Sequence, residues 1–356
     1  MCKPYRLSKK MIIYSNNKYN NMNSEKKIIV IVGFPASGKS TYSKKLATKY
    51  SKHGIILSRD TLGGAIADIL PKLKELLESK NKYKIIIDNT NITIDTRKPF
   101  IKLAQSLNIP IEAHYIVNTI EDSQVKTLHR MFDRYKHIYM TGKAEKNTEA
   151  HKDPNVFPPA TLFAMRKKIE IPKIAEGFTN VIKVEAPAIK WDGRKYRNKA
   201  IFFDIDGTLR YTEHLKHKYP LIPEEVEPMK IISLEEQKKK LRALIKNKYK
   251  LLGISNQSGI SKGIVSNNQV IACMNKTREM LGLTENEFNI TYCPHSAFPL
   301  SCYCRKPQVG QVVNFVETLK LNPSKCIFVG DRKTDETTAI RMGIQFITAE
   351  DFWKNA

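Results

Sequence analysis

The feature that most constrains this chain is an unbroken apolar run, Ile28 to Val32, leading straight into Gly33-Phe-Pro-Ala-Ser-Gly38-Lys39-Ser40-Thr41. A run that is β-branched on both faces belongs to a strand covered on both sides, as in a parallel sheet. The turn after it fits the phosphate-loop pattern GxxxxGKS and opens a helix-like segment. Backbone N–H groups of such a turn wrap phosphate oxygens, the lysine reaches the outer phosphates, and the hydroxyl after it holds Mg²⁺. Gly33, Ser37, Gly38, Lys39, Ser40 and Thr41 are therefore candidate residues for binding ATP with Mg²⁺.

The same grammar continues along the chain. Apolar runs at Lys84 to Asp88 and Ile111 to Val117 alternate with helical stretches near Lys98 to Ser106 and 121–137. Near residue 190 the pattern resets through a polar, basic, turn-prone stretch. A second buried-strand signal, Ala200 to Asp204, then opens another alternation of helices and strands to Gly330. Strands alternating with helices read as parallel α/β units. The expected fold class is α/β, with two doubly wound parallel-sheet domains. The expected boundaries are a basic disordered tail over 1–24, a first domain over 25–188, a linker over 189–199 and a second domain over 200–356. Residues 140–159, rich in Lys, Glu, Asn and Pro, read as a long mobile loop.

In the first half, Leu57-Ser-Arg59-Asp60-Thr61 follows a short strand from Gly54. A carboxylate at that strand end can take the proton of an attacking hydroxyl, or it can cap the next helix. Ser58 to Gly63, Asp88-Asn-Thr-Asn91 and the stretch Met165 to Phe178 resemble, in matching order, the motifs of polynucleotide 5′-kinase domains. The resemblance covers roughly residues 26 to 186. It implies that Asp60 is the general base, that Asp88 shapes the acceptor site, and that Arg97, six residues past Asn91, binds substrate. Arg130 and Arg134 share one face of the 121–137 helix. They resemble the lid arginines of such kinases, with Arg130 clamping the transferring phosphate and Arg134 beside the nucleotide; the alternative is a solvated basic face.

The second half carries Asp204-Ile-Asp206-Gly-Thr208-Leu at a strand end. Two carboxylates at this spacing can divide labour: one attacks phosphorus, the other protonates the leaving oxygen and then activates water. Ser255-Asn256-Gln257, Arg305-Lys306-Pro307 and Gly330-Asp331 through Asp335 follow in order. They offer phosphate donors, cations, and carboxylates for Mg²⁺. This set resembles the haloacid dehalogenase superfamily. The resemblance implies Asp204 as nucleophile and Asp206 as acid/base, with Ser255 and Lys306 on the phosphate and Asn256 and Arg305 toward the substrate. It places Mg²⁺ on Asp204, Asp331 and a backbone carbonyl, with Asp206 and Asp335 also in the metal set. Cys293, His295, Cys302 and Cys304 form a C-x-H, C-x-C set suited to a structural tetrahedral Zn²⁺. That set resembles the zinc loop of histidinol-phosphate and heptose-bisphosphate phosphatases, with a shorter gap between its halves.

Composition enters as support. Sixty Lys and Arg against 35 Asp and Glu give +25, an excess suited to polyanionic partners, although a Lys-rich coding bias would look the same. Lys238 to Lys250 is a candidate nucleic-acid contact or simply a soluble helix face. No apolar run approaches the roughly 18 residues of a membrane span. Six cysteines without a secreted framework suggest an intracellular, reducing compartment. Together the halves resemble bifunctional polynucleotide kinase-phosphatases. That implies nucleic acid with 5′-hydroxyl or 3′-phosphate ends as partner, DNA ahead of RNA, with a ligase acting next. The alternative is a sugar or nucleoside kinase fused to a sugar-phosphate phosphatase. Nothing in the sequence fixes the oligomeric state.

Overall fold

The computed structural model describes residues 13–15, 26–62, 68–189 and 191–354. Most of the expected 1–24 tail lies outside these residues. The described chain divides into two compact units: one of residues up to 123 plus 162–188, the other of 124–161 plus 189 onward.

The first unit is built on a six-stranded sheet. In chain order its elements are β1 (Ile13–Ser15), β2 (Lys27–Val32), α1 (Lys39–Lys49), β3 (Gly54–Leu57), α2 (Arg59–Leu62), α3 (Ile69–Glu78), β4 (Lys84–Asp88), α4 (Ile94–Ser106) and β5 (Ile111–Val117). Helices α5 (Ile120–Tyr135), α6 (Glu149–Lys152) and α7 (Pro159–Lys168) follow, then β6 (Asn180–Glu185). The strand order is β1-β6-β5-β2-β4-β3. All neighbours are parallel except β1 with β6. The central strand β2 is apolar on both faces because both are covered. Ile28, Val30 and Val32 pack with Leu73, Phe100 and Phe178, while Ile29 and Ile31 pack with Leu46 and Ile116. Each such side chain, fully removed from water, contributes ~1.5–3 kcal/mol.

The second unit adds β7 (Lys199–Phe203), β8 (Arg210–Tyr211), β9 (Glu227–Pro228), α8 (Leu234–Lys246), β10 (Tyr249–Asn256), α9 (Asn267–Met280), β11 (Phe288–Cys293), α10 (Gly310–Leu319), β12 (Ile327–Gly330), α11 (Lys333–Met342), β13 (Gln345–Thr348) and α12 (Ala349–Lys354). Its main sheet is wholly parallel, in the order β11-β10-β7-β12-β13. Helices α8 and α9 start at capping boxes, Ser233 with Glu236 and Ser266 with Gln269; such a cap stabilises a helix by ~1 kcal/mol. The indole of Trp353, fully buried, donates to the Thr208 carbonyl at 2.7 Å and so ties α12 to the loop after β7.

The sheets confirm the α/β reading of both halves. The surprise is residues 124–161. They sit within the span expected for the first domain, yet they pack into the second unit. Val125, Leu128, Met131 and Ile138 share a core with Phe202, Tyr303, Val312 and Phe328. His129 bridges to the fully buried Glu317 at 2.5 Å, and Tyr196 donates to the same carboxylate at 2.9 Å. The stretch 140–159, expected as a mobile loop, is structured around α6. Its polar composition is reconciled with burial through Asp153, which accepts from Arg134, Tyr135 and Asn155. Tyr303 fastens it further, donating its N–H to Met140 and its hydroxyl to the Phe157 carbonyl.

Candidate active sites

In both main sheets the first of the parallel strands, β2 or β7, is central, and the chain later returns to build on its other side. A crevice opens at the carboxyl ends where the order reverses, the usual ligand position in open α/β sheets. The Gly33–Thr41 turn lies at one of these points, directly after β2. Gly38 stands at φ 96°, a left-handed conformation that a side chain would strain. Helix α1 begins at Lys39 with no side-chain cap on Gly38 and no acidic residue in its first turn. Its leading N–H groups are thus oriented for an anion, which the helix dipole also favours. The buried Lys39 amine rests on the Phe34 carbonyl at 2.7 Å, inside the loop it would leave on meeting a phosphate. This arrangement fits ATP. Ser40 and Thr41 are exposed and Ser37 is buried.

Around this cradle, β4 pairs with β2 so that Asp88 stands beside Ile31. Asp60 falls in the short helix α2, three residues after β3 ends at Leu57. Its side chain lies outside the described residues, as does Gly63. Asn91 is buried and donates to the Ile31 carbonyl at 2.8 Å, pinning the loop after β4 to the strand that carries the phosphate turn.

Arg97 requires a correction. It was expected to bind substrate, but it is fully buried. Its Nε and Nη2 donate to the two carboxylate oxygens of Glu176, each at 2.8 Å, and its Nη1 donates to the carbonyls of Asn91 and Glu170, each at 3.0 Å. A guanidinium so engaged ties α4 to the 170–176 stretch; it is a structural cation. Arg130 and Arg134 lie in the second unit, donating to Asn155 at 2.5 Å and Asp153 at 2.9 Å.

The second site gathers at the ends of β7, β10 and β12. Lys306, fully buried, donates to Asp204 at 2.5 Å, to the Ile254 carbonyl at 2.8 Å, and pairs with Asp335 at 2.7 Å. Burial alone would lower its pKa, but the two carboxylates outweigh that and hold it above the ordinary lysine value. Asp204, Asp331 and Asp335 bring one oxygen each to within 4.8 Å of one another. Burial, then the charge of Asp204, pushes Asp331 up to about 7 and Asp335 up to about 6. Three oxygen donors so crowded that two resist ionisation are a fit for a hard divalent cation, which would relieve the repulsion. Gly207, at φ 85°, is required here, because a Cβ would stand 2.5 Å from an Asp331 oxygen.

Asp206 does not join that carboxylate cluster, a correction to its expected place among the Mg²⁺ ligands. Its two oxygens accept from Arg210 Nε at 2.7 Å and Gln257 Nε2 at 2.8 Å, which turn it away from the other acids. Arg210 is itself buried and anchored on the Cys273 carbonyl and the Thr277 hydroxyl. Neither Arg210 nor Gln257 stood out beforehand. Gln257 could have been found, being the third residue of Ser255-Asn256-Gln257; Arg210 follows the aspartate motif with no signal of its own. Asn256, expected to face substrate, lines the cleft and also accepts from the Lys306 N–H at 2.9 Å and donates to the Lys306 carbonyl at 3.1 Å. That clamp fixes the backbone of the lysine.

The cysteine set converges. Cys293 Sγ lies 3.6 Å from Cys302 Sγ and 3.5 Å from His295 Nδ1, and Cys304 Sγ lies 3.3 Å from the same nitrogen. Sulfurs bound to tetrahedral zinc at ~2.3 Å stand about 3.8 Å apart, so the cage has the right size. All three thiols are free and buried. Hydrogen bonds from Cys293 and Cys304 push the Cys302 thiol down, and hydrogen bonding to Cys302 pushes Cys293 up. Arg305 donates to the His295 carbonyl at 3.1 Å, linking the cage to the Lys306 loop. The basic face of α8 is largely occupied locally: Lys238 pairs with Glu235, Lys240 with the Phe352 carbonyl and Arg242 with Glu287.

The two sites define a chain with a nucleotide-phosphate cradle of the kinase type and an aspartate-centred phosphatase. Residues 28–144 match the family model described as AAA domain, and residues 199–353 match that of polynucleotide kinase 3 phosphatase. The second match spans less than half of the chain and marks residues 199–353 as a domain of the polynucleotide kinase 3 phosphatase type. The Haemophilus influenzae D-glycero-beta-D-manno-heptose-1,7-bisphosphate 7-phosphatase is 33% identical over 144 residues, 39% of this chain and 73% of that protein. The bifunctional polynucleotide phosphatase/kinase of Schizosaccharomyces pombe is 28% identical over 177 residues, 49% of this chain and 38% of that protein. The chain therefore spans well under half of that bifunctional relative. Among solved structures, a fungal RNA kinase aligns over 73% of this chain and 98% of its own at 12% identity and a TM-score of 0.34, too loose a likeness to bear on substrate. Among the described residues no helix is long and apolar enough to cross a membrane.

Proposed function

We propose that this chain heals nucleic-acid ends, phosphorylating 5′-hydroxyls from ATP and removing 3′-phosphates, so that a break becomes a substrate for a ligase. The observation that carries the reading is the joining, in one chain, of the Gly33–Thr41 cradle to the Asp204–Asp206–Lys306 centre of a polynucleotide kinase 3 phosphatase domain.

In the kinase half, Asp60 accepts the proton of the 5′-hydroxyl as its oxygen bonds to the γ-phosphorus and ADP departs. Asp88 orients the acceptor, and Lys39 and the α1 N–H groups hold the phosphates. In the phosphatase half, an Asp204 oxygen bonds to phosphorus while the bond to the 3′ oxygen breaks, and Asp206 delivers a proton to that oxygen. Asp206 then takes a proton from water, which attacks the aspartyl phosphate, freeing inorganic phosphate and restoring Asp204. Lys306 and Ser255 hold the transferring group. Mg²⁺ among Asp204, Asp331 and Asp335 would neutralise the phosphate's charge, and Zn²⁺ in the cysteine cage would stiffen the loop that carries Arg305 and Lys306. Free buried thiols suit a reducing compartment.

A second reading has its own support. The heptose-bisphosphate phosphatase relative is matched over 73% of its length, which favours a sugar-phosphate substrate for the second half. One assay separates the two. A nicked duplex with a 5′-hydroxyl and a 3′-phosphate is incubated with the chain, Mg²⁺ and labelled ATP, then with a ligase. Label transfer and sealing are expected. Inertness on this duplex and on single-stranded DNA and RNA, with turnover of heptose 1,7-bisphosphate, would replace end healing by the sugar reading.

A further inference from the structure

Strand β5 breaks a rule that its neighbour β2 keeps. By register its Glu112 and His114 stand opposite Ile29 and Ile31 of β2, on the face that α1 covers with Tyr42 and Leu46. Apolar side chains are expected at such positions, since a polar group there leaves water and must be matched. Both residues are buried, and both are matched within one chain of hydrogen bonds. Glu112 accepts from Lys27 Nζ at 2.8 Å and from Asn180 Nδ2 at 3.0 Å, and His114 Nε2 lies 3.4 Å from its other oxygen. His114 Nδ1 lies 2.9 Å from the Tyr42 hydroxyl. Burial alone would raise the Glu112 pKa, but the hydrogen bonds from His114, Lys27 and Asn180 outweigh it and hold the carboxyl below the ordinary glutamate value. An ionised carboxylate only accepts, so the proton of a neutral imidazole belongs on Nε2, and Nδ1 is left to accept from Tyr42. Burial pushes the Tyr42 hydroxyl up to about 12, so it keeps the proton it donates.

Tyr42 follows Thr41 directly and lies in the first turn of α1. The same strand also closes on the other end of the phosphate turn: a Cβ at Gly33 would stand 3.2 Å from the Ile116 Cβ. Strand β5 thus holds the Gly33–Thr41 turn at both ends, by packing at the first and by a directed bond just past the last. Apolar packing is non-directional and lets a helix roll about its axis, whereas a hydrogen bond fixes an angle. We propose that His114 and Tyr42 are positioning residues of the phosphate cradle: the Glu112–His114–Tyr42 chain sets the rotation of α1 and so aims its leading N–H groups at the phosphates of a nucleotide. This rests on the reading of the cradle as an ATP site.

The test uses the full chain with Mg²⁺ and reads ADP affinity by titration calorimetry, KM for ATP in 5′-kinase turnover, and thermal unfolding. Tyr42→Phe keeps the ring in its packing and removes the donor; His114→Leu removes both ring nitrogens. Each is expected to raise the Kd for ADP and the KM for ATP about tenfold, the scale of one well-aligned hydrogen bond, with KM for the 5′-hydroxyl oligonucleotide unchanged. His114→Gln, whose amide can donate to Glu112 and accept from Tyr42, is expected to recover most of that loss. A lower melting temperature with unaltered ADP affinity in Tyr42→Phe and His114→Leu overturns the positioning role. So does equal loss of ADP affinity in the glutamine and leucine variants when both are folded. ADP binding needs no acceptor, so these outcomes stand apart from the question of which hydroxyl is phosphorylated. If the unmodified chain binds no ADP, the ATP reading of the cradle falls, and the positioning role with it.

Discussion

In the proposed reading the first unit takes its phosphate ligands from one continuous stretch, Gly33 to Thr41, mostly as backbone N–H groups at the start of α1. In the same reading the second takes its ligands from three strand ends and the 305–306 loop, nearly all as side chains: Asp204, Ser255, Lys306, Asp331 and Asp335. A cradle of main-chain donors is formed by local folding and tolerates change at most of its side chains. A centre assembled from side chains depends on the sheet register. Its members also perturb one another, as the raised pKa values of Asp331 and Asp335 show.

The largest effects should come from cutting each site at its one irreplaceable side chain. Asp204→Asn is expected to lower 3′-phosphatase turnover at least ~10³-fold with 5′-kinase activity kept, and Lys39→Ala or Asp60→Asn to do the converse. Parallel assays on 5′-hydroxyl and 3′-phosphate oligonucleotides measure both, and joint loss from any one change would break the picture of two independent centres. Next in size is Arg97→Met. Removing one partner of a buried, bidentate ion pair leaves Glu176 uncompensated and costs ~3–5 kcal/mol. Thermal unfolding should register this loss. A variant of undiminished stability whose kinase KM for the oligonucleotide rises would return Arg97 to the substrate. Smaller, and confined to the second unit, is the zinc cage. Cys302→Ser with Cys304→Ser should empty the purified protein of zinc by elemental analysis and lower the melting temperature of the phosphatase transition by several degrees, about 1–3 kcal/mol for a domain of this size. Full zinc content in the double variant would show the metal to be bound elsewhere.

Much of this was legible in the amino-acid order. Ile28 to Val32 and Ala200 to Phe203 could only be strands covered on both faces, and each is the centre of its sheet. The glycine turn and the paired aspartates mark strand ends because such turns are local. Pairings between distant segments were not legible. Arg97 and Glu176 are far apart in the chain, and a lone arginine at a motif's spacing looks the same whether it meets substrate or a buried carboxylate. Asn256 sits where a phosphate donor would sit, and only the return of the 305–307 loop shows its amide to be engaged. Arg210 carries no local sign that it will reach Asp206. The helix at 121–137 was readable from its periodicity, but the neighbour covering its apolar face was not, since amphipathicity says that a face is buried and not against what.

That last point bears on how such a chain can be taken apart or assembled. The backbone passes from one unit to the other at 123, 161 and 188, so the phosphatase unit is discontinuous in sequence and carries residues 124–161 in its core. A fragment beginning at the apparent linker would lack a wall of its own interior. For the same reason, the two activities are not cassettes that a single recombination could swap: a gene join that preserved both folds would have to fall in three places at once, and the order of the two halves along the chain is locked by that threading.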